Sequence, residues 1–439
     1  MTNDQKSYDI AVIGGGILGT TLLYWLSALY PRGKFVLLEQ AGSIAAHTST
    51  RNTGVIHRPF YLDPQTKKRF AEIALHSYPL WKAYAELHRL PWRDVGTLEI
   101  ALSGEDEYRL DTYLAWARKN GLEPDEVVEL SPSDVRRTEP NIVCRGAIFS
   151  KKDAAVDFGL MTRSLARDAA HLGAAVHTDA RVEHIDVFAS GVELRLTNGE
   201  ILSARYAVNC AGGNALPIAH RLGLARDYAD MNFRGEYWVV DHRAADLAGV
   251  NIYTVPRHSS FPFLDPHWVV KADGTVEVGP TAVPVLGPYT YFGLAPNILA
   301  GFLKFVERPL VPKFKLWTNR DFLSLAASEW RGMLSKHAMA ERVRAFLPDL
   351  KDSYLVRPGN SGVRASLIDA RGAFVPEVVE LEGDRMLHIL NFNSPGATGA
   401  PAYAARLVRL IIKSGVLPEP KQEQGRSIWN WKELVGKLT

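Results

Sequence analysis

YDIAVIGGGILG, residues 8–19, is the stretch that decides the fold. Tyr8 to Ile13 is a short apolar run suited to a buried strand, and from Ile17 to residue 30 Leu18, Leu22, Leu26 and Leu29 recur on one helical face. Between them Gly14, Gly16 and Gly19 give the spacing G-x-G-x-x-G. The first glycine allows a tight turn, the second lets a pyrophosphate approach the backbone, and the third lets the helix lie close to the strand. KFVLLE, residues 34–39, is a second apolar strand that completes a βαβ unit of about 30 residues. Glu39 ends that strand, where a carboxylate accepts both ribose hydroxyls and disfavours a 2′-phosphate. Strand, glycines, helix, strand and acid in this order predict a dinucleotide whose phosphates meet the amides of a helix N-terminus. An ordinary βα turn is the plain alternative, and the fingerprint does not choose between NAD and FAD.

The rest of the composition sets bounds. At 439 residues the chain exceeds the size at which one core keeps growing, so two interleaved domains are expected. It is 46% hydrophobic and 23% charged, an ordinary globular mixture. Its 51 Lys and Arg against 48 Asp and Glu create no global basic field, so no nucleic acid partner is expected. Cys144 and Cys210 are too few and too far apart for a metal cluster or a disulfide framework, so no metal is expected and a reducing, cytoplasmic setting fits. The polar start MTNDQKSYD does not resemble a signal peptide, and no apolar run approaches the roughly 20 residues that span a bilayer.

Periodicity predicts helices over 65–90, 105–120 and 158–173 and a strand over 93–102. AAVHTDARVEHIDV, the turn at Asn198-Gly199 and the apolar YAVNCAGG then read as a return to the nucleotide domain. Aromatic and β-branched runs broken by Pro and Gly from Met231 to about Tyr291 predict an antiparallel sheet. Residues 296–348 are mainly helical, and MLHILNF is a last strand before a helix that starts near Ala400. No internal repeat is present.

After Glu39 comes HTSTRNTGVIH, residues 47–57, a loop rich in hydroxyls and amides that can wrap a pyrophosphate and an isoalloxazine edge. With NTGVIH at 52–57, FRGEYW at 233–238, FPFLDPHW at 261–268, DGTVEVGPTAV at 273–283, SGVRA at 361–365 and LHILNFNSPGAT at 387–398, the chain resembles the D-amino-acid oxidase superfamily of flavoproteins. Within it, the chain is similar to the L-2-hydroxyglutarate dehydrogenase group. The resemblance runs almost end to end. It implies an α/β fold in which an FAD-binding Rossmann-like parallel-sheet domain (1–90, 150–225, 355–425) interleaves with an α+β substrate domain built on an antiparallel sheet (91–149, 226–354).

The same resemblance implies which residues hold FAD. Gly14, Gly16, Gly19 and Glu39 take the ADP half, Thr50, Arg51, Asn52 and Gly54 lie nearer the flavin, and Val182 offers its backbone on the adenine side. Ala211 and Gly212 resemble a second glycine turn, and Gly362 lies beside the cofactor. Gly396, Ala397 and Thr398 precede the final helix, whose N-terminus would face the flavin's pyrimidine oxygen; a plain N-cap by Thr398 is the alternative.

The implied reaction is oxidation of a small 2-hydroxy acid by hydride transfer to flavin N5, with L-2-hydroxyglutarate or a related acid as first guess. Such chemistry needs a base, a carboxylate anchor and a held Cα. His57 and His267 are the candidate bases, and Arg364 the guanidinium fork for the carboxylate, with a salt bridge to Glu236 as its structural alternative. Tyr253, Arg58 and Arg257 are further substrate candidates. Arg58-Pro59-Phe60-Tyr61 and Arg257-His258 depart from the family pattern and leave the acid's identity open, as does Asp265-Pro266. An amino-acid or amine oxidase of the same superfamily is the rival enzyme, and an RNA-associated flavoprotein or an NAD-sensing module the rivals of other classes. The electron acceptor is left between a quinone, an electron-transfer protein and oxygen. The apolar, basic stretch 297–317, with Lys304, Arg308, Lys313 and Lys315, and the tail 426–439, with Trp429 and Trp431, are candidates for peripheral contact with the inner face of a membrane; packing against the body is the alternative for both.

Overall fold

The computed structural model describes residues 7–256, 265–333, 335–421 and 426–438. Its larger sheet grows from the opening motif. Ser7–Ile13 pairs in parallel with Phe35–Leu38 on one side, Ile10 against Phe35 and Ile13 against Leu38, and with Ile201–Asn209 on the other. Ala175–His177 and Met386–Leu390 extend the parallel set at the two flanks. Residues 10–13, 35–38, 206–209 and 386–390 of these strands are buried on both faces, as parallel strands covered on both sides must be. Val182–Phe188 and Gly191–Leu196 add an antiparallel hairpin beside Ile201–Asn209.

The helix Ile17–Leu29 is buried along all of its residues, Thr20, Thr21 and Ser27 included. The hydroxyls of Thr20, Thr21 and Ser27 survive burial because each donates to a carbonyl one turn back, Thr21 to Ile17 at 2.5 Å and Ser27 to Leu23 at 2.7 Å. Such a helix requires neighbours all round. They are Phe158–His171 and Gly396–Lys413, with Lys68–His88 packed in turn on the latter. Trp25 donates its indole N–H to the Pro401 carbonyl at 3.0 Å, which ties the first helix to the last long one. That last helix begins at Gly396, four residues before the expected start, because Pro395 serves as its cap.

The second large sheet runs Leu355–Pro358, Trp238–Val240, Val276–Gly279, His267–Val270, Asn251–Thr254, Thr97–Ala101, Gly146–Ser150 and Val127–Leu130. It is antiparallel except where Thr97–Ala101 meets Asn251–Thr254 in parallel. The strand expected over 93–102 is split into Trp92–Asp94 and Thr97–Ala101 by Gly96, whose φ of +70° turns the chain between two sheets. Leu355–Pro358 belongs to this sheet and Gly362–Ile368 pairs with Ala229–Gly235, so the last crossing to the parallel sheet falls after residue 368 and not at 355. No described helix is long and apolar enough to cross a membrane.

Candidate active site

The parallel strands end at Ile13, Leu38, Asn209 and Leu390, and a cavity of about 1330 Å³ opens where their carboxyl ends meet the second sheet. A single small ligand fills about 300–1,000 Å³, so this cavity has room for a dinucleotide and a substrate together. The glycines shape its floor. Gly14 has φ +112°, and a Cβ on it would stand 2.6 Å from the Cys210 carbonyl oxygen; one on Gly19 would stand 2.0 Å from the carbonyl of Gly14. A Cβ on Gly16 would meet only Ser49 Oγ, at 3.2 Å, and would otherwise project into the space a phosphate needs. Glu39 is buried at the rim, its two oxygens fixed by the amides of Gly15 at 2.7 Å and Ala41 at 2.8 Å. Its backbone carbonyl accepts from Ala180, which brings Arg181 and Val182 to the same wall. Ala211 and Gly212, the latter at φ +56°, line the opposite side. A glycine floor, a fixed acid and backbone walls are a donor set that fits FAD.

The loop after Glu39 divides its labour in a way the sequence does not show. Thr48, Ser49, Arg51, Asn52 and Thr53 line the cavity, and Ser49 accepts the Ile17 amide at 2.9 Å. Thr50 instead donates to the carbonyls of Ala45 and His47, and Gly54, at φ +72° with the Val156 carbonyl 2.5 Å from an added Cβ, lets the loop meet a neighbouring strand. Both shape the loop and neither is part of the wall. Gly362 lies so close to Arg51 that a Cβ would be 2.0 Å from the Arg51 carbonyl. Ala397 and Thr398 line the cavity at the start of the final helix; that helix has no side-chain cap, and the Thr398 hydroxyl accepts the His57 amide at 3.3 Å. Thr398 is therefore not its N-cap.

At the substrate end, His57 Nδ1 lies 2.9 Å from Asp153, a carboxylate with no exposure. The other Asp153 oxygen accepts the Arg58 amide at 3.0 Å and the Ser150 hydroxyl at 2.5 Å. A carboxylate so held assigns the proton to Nδ1 and leaves Nε2 as an acceptor. His267 is different. It is buried, stacks on Tyr253 with ring centres 4.0 Å apart, and neither ring nitrogen has a hydrogen-bond partner among the described residues. Burial, with His57 as the next cause, pushes it down to about 3, so it is neutral at physiological pH. Of the two candidate bases, only His57 has a carboxylate behind it.

Arg364 also lines the cavity; burial draws its guanidinium down from the ordinary value while the phenols of Tyr237 and Tyr61 oppose the shift. Glu236, its suspected structural partner, is taken by Arg234 at 2.9 Å. Asp153, Tyr237, Glu99 and Lys67 were not singled out in the sequence, and Tyr61 only as part of a departure from the family pattern; all but Asp153 line the same cavity. Glu99 is raised well above a normal carboxylate by burial and then by Asp153.

Arg58 is a correction. Its guanidinium turns away from the cavity to Glu126 at 3.0 Å and lies over the Tyr78 ring at 4.8 Å. Consecutive residues of an extended segment point to opposite sides, so the same chain that aims His57 inward must aim Arg58 out. Arg257 lies outside the described residues. Lys304 and Lys313 are also corrected: Lys304 pairs with Asp230 at 2.6 Å and Lys313 with Glu307 at 3.3 Å, so neither cation faces outward as a membrane contact would require. In the tail, Trp429 and Trp431 are buried against the body, their indoles donating to Leu80 at 2.9 Å and Ala405 at 3.3 Å; the tail is core, not membrane anchor. Among the described residues no His, Cys, Asp and Glu cluster could hold a metal.

The profile of the FAD dependent oxidoreductase family (DAO) matches residues 9–410. L-2-hydroxyglutarate dehydrogenase, mitochondrial, of Caenorhabditis elegans is 30% identical over 423 residues, which cover 93% of this chain and 94% of that protein. The Homo sapiens protein of the same name is 28% identical over 422 residues, 92% of this chain and 88% of that protein. Among solved structures, FAD-bound L-alpha-glycerophosphate oxidase from Mycoplasma pneumoniae superposes with a TM-score of 0.72 at 20% identity, covering 92% of this chain and 95% of that one. Glycine oxidase from Geobacillus kaustophilus superposes with a TM-score of 0.67 at 19% identity, covering 99% of each.

Proposed function

The chain belongs to the family of FAD-dependent oxidoreductases, and from that premise we propose that it oxidises a small 2-hydroxy acid to the 2-oxo acid, L-2-hydroxyglutarate or a close relative. The observation that carries the reading is the His57–Asp153 pair bordering the same cavity as Arg364. Arg364 binds the substrate carboxylate, a task for which a planar fork of donors is suited. His57 Nε2 takes the hydroxyl proton, and Asp153 holds the ring in the tautomer that can do so and stabilises the imidazolium that forms. His267, neutral and without a partner of its own, hydrogen-bonds the substrate oxygen. FAD, when bound, supplies the hydride acceptor. Tyr253 packs between the two histidines and helps keep water out.

The relatives named L-2-hydroxyglutarate dehydrogenase support the choice of substrate class. The test is anaerobic bleaching of the flavin by a panel of L- and D-2-hydroxy acids, amino acids and amines. Bleaching by a hydroxy acid is expected, and bleaching by an amine or amino acid alone would overturn the reading.

We further propose peripheral contact with a membrane, through another face than the tail. The helices Ile298–Val306 and Leu310–Trp317 expose Leu299, Leu303 and Val311, with Phe302 and Phe314 61% and 69% exposed, and Arg308 and Lys315 are exposed beside them. An apolar patch with basic residues at its margin suits an anionic lipid surface, which would favour a membrane-borne electron acceptor.

A further inference from the structure

We infer that Lys67 forms a second anion subsite in the cavity that holds Arg364 and is the residue that receives the acid group at the far end of the substrate. The inference rests on the hydroxy-acid reading above and adds a specificity-determining residue to it. Lys67 caps the helix Lys68–His88 and lines the cavity together with Arg364, Tyr61 and His57. Its ammonium has neither a hydrogen bond nor an ion pair to any described residue.

Other lysines of comparable burial are all held. Lys271 donates to the carbonyls of Asn52 at 3.2 Å and Thr53 at 3.0 Å, Lys304 pairs with Asp230 and Glu307, and Lys313 donates to the carbonyls of Lys304 and Glu307. The two acids that act on Lys67 are committed to backbone instead. Asp63 accepts the Gln65 amide at 2.8 Å, and Glu377 accepts the amides of Arg69 at 2.9 Å and Val378 at 3.0 Å. Burial and then Arg364 draw Lys67 below its ordinary value, as expected for two cations facing one enclosed space. Lys67 is half-buried, and a cation so placed gains when an anion reaches it. A monocarboxylate on Arg364 would leave Lys67 uncompensated, whereas a diacid gives each cation an oxygen pair and leaves the hydroxyl to His57.

The test uses the FAD holoenzyme and two non-reacting probes of equal chain length, glutarate and pentanoate, titrated by their perturbation of the flavin spectrum. The wild type is expected to bind glutarate at least about tenfold more tightly, the size of one charge-assisted contact. Lys67→Met should bring the ratio of the two Kd values close to one, and Lys67→Arg should keep most of it. Equal affinities in the wild type, or a ratio unchanged in Lys67→Met, would overturn the subsite. So would equal weakening of both probes, which marks a structural or flavin-directed lysine. Should Lys67→Met not fold, Lys67→Gln provides the same comparison. If 2-hydroxyglutarate leaves the flavin yellow while the glutarate preference stands, the reaction falls and the subsite remains.

Discussion

Replacing Asp153 by Asn tests the catalytic reading at its narrowest point. The carboxylate is fully buried, and its two oxygens accept from His57 Nδ1, the Arg58 amide and the Ser150 hydroxyl. Asn is the same size, so the packing survives, but its amide can meet His57 with an N–H. The ring then turns acceptor at Nδ1 and carries its proton on Nε2, where it cannot take another from substrate. A positioned base contributes about 10²–10⁴ in rate, and the wrong tautomer forfeits most of it. Anaerobic stopped-flow should therefore show the rate constant of flavin reduction fall about 10²- to 10⁴-fold, with substrate affinity changed far less because Arg364 is untouched. His57→Gln should cost a similar factor, and the double variant little more than either alone, since the two act as one unit. Reduction of the Asp153→Asn enzyme within threefold of wild type would refute the assignment of His57 as base.

Arg364→Lys retains the charge but loses the fork and should raise the substrate Kd by about tenfold or more, with Arg364→Ala worse; unchanged binding in Arg364→Ala would remove it as the carboxylate anchor. Gly362→Ala puts a methyl 2.0 Å from the Arg51 carbonyl, and the purified protein should show a reduced ratio of flavin to protein absorbance; full FAD content would show that the loop yields. His267 and His388 are pushed by burial from 6.5 down to about 3 and about 4. Below pH 6.5 the unfolded chain takes up these protons before the folded one, so stability is complete above 6.5 and lost as pH falls toward 3 to 4. By pH 5 each costs about 2 kcal/mol, and a urea midpoint unchanged between pH 7 and 5 would contradict their neutrality. Flotation with anionic liposomes should retain the wild type and lose the double variant Phe302→Ser, Phe314→Ser; a protein that never floats has no such contact.

What was legible in the sequence was what is local. Gly14, Gly16, Gly19 and Glu39 sit within one βαβ unit, where strand and helix periods fix each position; Gly14, Gly16 and Glu39 line the cavity and Gly19 packs against the Gly14 carbonyl. His57 and Arg364, which line the cavity, were proposed only through resemblance to a family, because nothing in their own neighbourhoods announces a site. Asp153 was missed for a plainer reason. It comes from a turn 96 residues beyond His57 and stands among unremarkable residues, so only the pairing of Val55–Ile56 with Ala154–Ala155 brings the two together. Arg58 was misread because sequence proximity to His57 ignores the alternation of an extended segment. Trp429 and Trp431 were read as amphipathic because the clefts that receive them, near Leu80 and Ala405, are built from distant helices.

The first long helix is surrounded on every side, and this bears on how the protein is made. Ile17–Leu29 leaves the ribosome early, but its covering helix, Gly396–Lys413, emerges some 370 residues later. Until then Trp25 has no Pro401 to donate to, and an apolar cylinder waits without its partner. Contacts this distant in sequence form slowly and leave intermediates open to aggregation. The cavity itself has the same dependence, since Gly14 and Gly16 from the start of the chain and Ala397 and Thr398 from near its end line one space, which is complete only when both are in place.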